Sequence, residues 1–150
     1  MPQADQQKSE IKIIERDGKR LIYDLLRRKY VRLTPEEWVR QNFVHFLIEK
    51  RNYPFGLMAN EVELEIGNKK MRADTVLYHR DLRPRMIIEY KSPNVQITKR
   101  VFDQIMSYNI LLKADYLVAC NGKTSLCCHI NYALQKYEFL QSIPYYEELK

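Results

Sequence analysis

The sequence predicts an α/β fold in which a mixed β-sheet is flanked by helices. Three observations predict it. Residues 34–50 carry apolar side chains at helical spacing behind a clear helix start. Residues 61–91 fall into three strand-like runs joined by short connectors. Residues 98–120 place a second helical stretch before a buried apolar strand. A strand, a helix and a strand in that order favour a right-handed crossover, which adds a parallel neighbour to an otherwise antiparallel sheet.

The elements follow in order. Residues 1–10, MPQADQQKSE, are polar and aperiodic and are expected to be disordered, with 11–150 forming a single domain. GKRLIYDLLRRKYVRL, residues 18–33, reads as a short strand or irregular arm. The next helix starts at LTPEEWVRQ: Thr34 is the N-cap, Pro35 takes the first helical position and Glu37 the third, a capping-box pattern. Val39, Phe43, Phe46 and Leu47 then share one face, and RNYPFG ends the helix. EVELEI (61–66), RADTVLY (72–78) and RMIIEYK (85–91) are joined by GNKKM and HRDLRP, short enough for an antiparallel meander. A helix over about 98–112 keeps Val101, Ile105, Tyr108 and Leu112 in phase. DYLVAC (115–120) is a buried strand, NG a turn, SLCCHI another strand, and the remainder a β-rich tail.

Composition bounds the function. Lys plus Arg exceeds Asp plus Glu by six, which suits a polyanion such as nucleic acid. The charge concentrates at Arg27, Arg28, Lys29 and Arg32, at HRDLRPR (79–85), and at Lys99 and Arg100, although each cluster also reads as a solvated face. No apolar run is long enough to span a bilayer and the N-terminus has no secretory core, so the cytoplasm is the expected compartment. Cys120, Cys127 and Cys128 have neither disulfide nor zinc spacing and are expected to be buried reduced thiols. NGKT (121–124) has the second half of a phosphate-binding loop, but Leu117 stands where its first glycine belongs, so no bound nucleotide is expected.

IIEYKSP (87–93) carries the chemistry. Glu89 and Lys91 lie two apart and share one face of a strand that is otherwise apolar. With the hairpin turn centred between Asp81 and Leu82, opposed residues sum to 163 and Asp74 faces Glu89, with Cβ atoms about 5 Å apart. Two ionised carboxylates there repel by roughly 3 kcal/mol at an effective dielectric near 20. Either one acid is protonated, a basic side chain intervenes, or a divalent cation binds; hard oxygen ligands suit Mg²⁺ or Mn²⁺. The plainer alternative is a surface ion pair between Glu89 and Lys91, with Asp74 unrelated.

RAD (72–74), a short hairpin and EYK (89–91) resemble the bipartite core of the PD-(D/E)xK nuclease superfamily. TPEEWVRQ (34–41), the whole of 53–98, FDQIMSYN (102–109) and YLVACNG (116–122) are similar to the N-terminal nuclease domain of type I restriction enzyme R subunits. The resemblance implies a restriction-endonuclease-like sheet and Mg²⁺-dependent (or Mn²⁺-dependent) hydrolysis of DNA phosphodiesters. It implies Asp74 and Glu89 as metal-binding acids, with the Tyr90 carbonyl, and Lys91 as the catalytic lysine. Gln104 and Tyr108 match the family's QxxxY pattern, and Glu36, four residues before Arg40, matches an acid presented to the metal. Arg27, Arg28, Lys29, Arg32, Lys99 and Arg100 would contact DNA phosphates. The other subunits of a restriction-modification system are the further partners it implies. Ala73 replaces the proline of the superfamily's name, and no motor is present, so the chain is either a fragment or a free-standing domain. A catalytically silent module that binds DNA or a partner protein is the rival reading.

Overall fold

The computed structural model describes residues 11–150, except for the side chain of Tyr108. The expected disorder of residues 1–10 and the packing of the Tyr108 ring lie outside the described residues. The chain first forms a three-stranded antiparallel sheet, β1 (Ile13–Arg16), β2 (Lys19–Asp24) and β3 (Lys29–Arg32). Of the short strand or irregular arm expected over residues 18–33, it is strand that forms, as the pair β2 and β3. Its first turn is Asp17 and Gly18, both at positive φ (53° and 73°), the backbone that an Asp-Gly hairpin turn adopts. Its second turn is an Asx turn: the Asp24 carboxylate accepts from the backbone N–H groups of Leu26 and Arg27, at 2.8 and 2.9 Å.

Helix α1 (Pro35–Arg51) begins where the sequence places it, and Thr34 Oγ1 accepts from the Glu37 N–H at 3.1 Å. The reciprocal half of the capping box is not made. The Glu37 carboxylate turns inward to Arg27, Arg40 and Gln41. Thr34→Ala is expected to cost about 1 kcal/mol, read as a lower urea midpoint at unchanged slope. A loss below about 0.3 kcal/mol would show that the buried Glu37 cluster alone fixes this terminus.

The main sheet runs β4 (Met58–Ile66), β5 (Lys69–Tyr78), β6 (Pro84–Tyr90), β7 (Tyr116–Cys120), β8 (Ser125–Asn131), β9 (Lys136–Leu140) in spatial order. All neighbours are antiparallel except β6 and β7, which are parallel and joined through α2 (Lys99–Leu112). β4 and β5 extend further than expected, leaving Gly67 (φ 62°) and Asn68 as their turn. The β5/β6 register pairs Thr75 with Ile88, Val76 with Ile87 and Leu77 with Met86, each summing to 163 as expected; a bulge follows at Tyr78.

Two apolar layers cover the sheet. Val39, Phe43 and Leu47 of α1 pack with Leu77, Met86, Ile88 and Val118. Phe102 and Ile105 of α2 pack with Val76, Ile87, Leu117 and Ala119. Adjacent Ile87 and Ile88 serve opposite layers, which is why this segment reads as a continuous apolar run. All three cysteines are buried and free. No helix among the described residues is long and apolar enough to cross a membrane.

Candidate active site

Asp74 and Glu89 are the next residues of β5 and β6 beyond the last paired rung, Thr75 with Ile88. A side chain carries the strand contact here: the Tyr90 N–H donates to Asp74 Oδ2 at 2.9 Å. The two carboxyls are close enough to influence each other's titration. Burial raises the Asp74 pKa, against the Tyr90 N–H and Arg40, which lower it. Burial and the negative charge of Asp74 push Glu89 up to about 7, only partly opposed by Lys91. Lys91 Nζ lies 3.9 Å from Glu89 Oε1. The sequence-derived pairing of acid, acid and ammonium is thus brought together.

A buried ionic network supports the pair from the α1 side. Arg40 Nη1 donates to the Asp74 carbonyl at 2.9 Å, and Nη2 to Glu61 Oε1 at 2.7 Å. Nε and Nη2 also form a fork on Glu37, at 2.9 and 2.8 Å. Burial would lower the Arg40 pKa, but the bonds to Glu37 and Glu61 outweigh it and hold the guanidinium charged. Glu61 sits within β4 at φ 55°, a left-handed backbone for a non-glycine residue, level with Asp74 between the pairs Asn60 with Thr75 and Val62 with Ala73. Arg72 Nε holds its other oxygen at 2.6 Å. A second chain ties the N-terminal sheet to β5: Asn60 Nδ2 donates to both Asp24 oxygens, and Thr75 Oγ1 donates to Asn60 Oδ1 at 2.6 Å. Burial opposes the charge on Asp24, yet bonds from Arg27 and Asn60 prevail and hold its carboxyl below the usual range.

Two clefts meet at this point. One, of about 440 Å³, is lined by Arg32, Glu36, Arg40, Glu61, Asp74 and Glu89. The other, of about 720 Å³, is lined by Lys70, Arg72, Glu89, Lys91, Gln104 and Ser107. Gln104 therefore shares a cleft with Glu89 and Lys91, as its place on α2 predicts. Glu36 is exposed in the first turn of α1 and lines the same cleft as Asp74 and Glu89. No three His, Cys, Asp or Glu among the described residues form a group able to hold a metal. Glu37, Arg40 and Gln41 are among the buried residues of α1, and Glu36 is not. Arg27 lines the same cleft, with its guanidinium ion-paired to Asp24 and Glu37. Arg28, Lys29 and Arg32 are exposed on the small sheet, and Lys99 and Arg100 at the start of α2. The sequence reading missed Glu61, Arg72 and Asp24. Only Asp24 had a local signal, as an acid before a turn.

The donor set suits Mg²⁺ or Mn²⁺. Mg²⁺ commonly takes one or two carboxylates and keeps several waters or substrate oxygens. Two neighbouring carboxyls with raised pKa values provide the negative charge that such an ion relieves. In the metal-free protein the raised value has a definite sign. Between the usual 4.5 and about 7 the folded state binds more protons at Glu89 than the unfolded chain. Stability therefore falls as pH rises through that window. The thermal midpoint in EDTA is expected to drop from pH 5 to pH 7.5, a range bracketing that window. Glu89→Gln is expected to flatten the profile. An equally steep profile in Glu89→Gln would assign the slope to other groups.

Comparison with known proteins agrees with the geometry. A family described as the N terminus of the type I restriction enzyme R protein matches residues 35–144. No curated protein matches the chain. Among solved structures, the chain is similar to a fragment assigned as an HsdR subunit of a type I restriction enzyme from Vibrio vulnificus YJ016. That match has a TM-score of 0.51 at 16% identity and covers 77% of this chain and 24% of the other. The likeness is one of fold, and this chain spans about a quarter of that protein.

Proposed function

The chain belongs to the family of type I restriction enzyme R protein N termini, and from that premise we propose that it is a metal-dependent DNA nuclease domain. The observation that carries this reading is the placing of Asp74 and Glu89 on neighbouring strands at one cleft, with Lys91 beside Glu89, where two clefts meet. Asp74, Glu89 and the Tyr90 carbonyl would hold Mg²⁺ or Mn²⁺. Such an ion, when bound, lowers the pKa of a coordinated water and neutralises phosphate charge.

The chain's own groups do the positioning. The Tyr90 N–H fixes one Asp74 oxygen, and Arg40 fixes the Asp74 backbone. The Lys91 ammonium orients the attacking water or stabilises negative charge developing on the phosphate. Gln104 positions the strand from the α2 wall; Tyr108, one helical turn on, is its companion in the family pattern. Arg28, Lys29, Arg32, Lys99 and Arg100 hold backbone phosphates without reading sequence. The other subunits of a restriction-modification system are the proposed protein partners, and the cytoplasm, which keeps the three thiols reduced, is the proposed compartment.

The test is cleavage of plasmid and linear DNA by the purified chain in Mg²⁺ or Mn²⁺, with Glu89→Gln beside it. Metal-dependent cleavage absent from Glu89→Gln supports the proposal. Saturable DNA binding by a wild type that cleaves nothing in either metal replaces it with the silent-module reading.

A further inference from the structure

We propose that the β4/β5 hairpin, through Lys69, Lys70 and Arg72, is one wall of a phosphate-binding groove whose opposite wall is the face of α2 that carries Lys99, Arg100, Gln104 and Ser107. The inference rests on the DNA reading above and adds where the backbone runs. The larger cleft has Lys70 and Arg72 on one side, Gln104 and Ser107 on the other, and Glu89 with Lys91 between them. It continues in two directions. Lys69, Lys70 and Ser107 share one adjoining depression. Lys99, Arg100, Gln104 and Ser107 share another. Ser107 lines all three, so the surfaces form one continuous groove.

The groove is strongly one-signed. Lys69, Lys70, Arg72, Lys91, Lys99 and Arg100 line it against two acids, Glu89 and Asp103. Glu63 and Glu65 of β4 pair directly with Arg72 and Lys70, yet neither lines the groove. The basic side chains differ in their duties. Arg40 and Arg27 are spent on buried acids. Arg72 is tied to Glu61 through Nε alone and remains largely exposed, which directs the rest of its guanidinium outward. Lys69 and Lys70 are exposed at the start of β5. Cations on two facing walls, with a third above the acid pair, match a ligand bearing repeated phosphates better than a single small anion. A strand of DNA held by both walls passes over Lys91 with its phosphates beside Asp74 and Glu89.

The test is DNA affinity by fluorescence anisotropy with Ca²⁺ in place of Mg²⁺, titrated over salt, for the double variant Lys69→Ala/Lys70→Ala. Both residues are exposed, and unchanged circular dichroism confirms the fold. Binding is expected to weaken by about tenfold or more at 0.1 M salt, equally for unrelated sequences, and the salt slope to fall by about 1.8. Lys69→Arg/Lys70→Arg is expected to restore both. If wild type binds and the double alanine variant binds as tightly with the same slope, the hairpin wall is wrong while the nuclease reading stands. If wild type binds no DNA, both fall.

Discussion

Arg40→Ala is expected to destabilise the domain by about 3–5 kcal/mol, a large part of the 5–15 kcal/mol that holds a typical domain together. The size follows from what is left behind. Glu37 is buried and loses the fork at 2.9 and 2.8 Å. Glu61 keeps only Arg72, and the Asp74 carbonyl loses its donor. Glu37 keeps Arg27 and Gln41, but stripping a forked cation from a buried carboxylate costs more than the pair contributes when intact. Arg40→Lys keeps the charge but has no planar fork, so it cannot serve Glu37, Glu61 and Asp74 together. It is expected to fold with intermediate stability. Chemical denaturation of the three proteins decides the matter: an alanine variant within about 1 kcal/mol of wild type would show that water enters and replaces the guanidinium, and that the network is not a support for Asp74.

The hairpin that brings the two acids together was legible because a strand has a period of two. Once the turn is placed in HRDLRP, each β5 residue has one partner in β6, and the pairs from Thr75 to Leu77 keep that sum up to the bulge at Tyr78. The compensation of the acids was less legible. Glu61 reaches the site through a left-handed residue inside β4, and no residue type in ANEVELEI announces it. Glu37 was misread for a different reason. The T-x-x-E spacing is compatible with a capping box, but Arg40 lies three residues on and Arg27 arrives from another sheet. A charged fork in a buried setting outcompetes a single backbone N–H. The small N-terminal sheet had a usable signal in Asp17 and Gly18 between strand-forming runs. The basic composition of its second half masked the alternation.

Lys91→Ala is expected to lower the single-turnover cleavage rate by about 10²-fold or more while leaving DNA affinity in Ca²⁺ nearly unchanged. The ammonium sits 3.9 Å from Glu89, where its charge opposes the two factors that keep Glu89 protonated, burial and Asp74. It is also half-buried in the cleft floor, so one residue acts on both the acid pair and the phosphate. Asp74→Asn removes one of the two carboxylates but retains an oxygen to accept from the Tyr90 N–H. It is expected to abolish Mn²⁺ binding, measured by calorimetry, with little loss of fold. The two variants separate the roles: Asp74→Asn loses the metal and the rate together, whereas Lys91→Ala keeps Mn²⁺ and loses the rate. Neutralising Arg28, Lys29 and Arg32 is expected to do the converse, weakening binding and its salt dependence with the rate at saturation preserved. Should wild type cleave and Lys91→Ala cleave as fast, the lysine is a surface partner for Glu89 and charge on the phosphate is met by other groups.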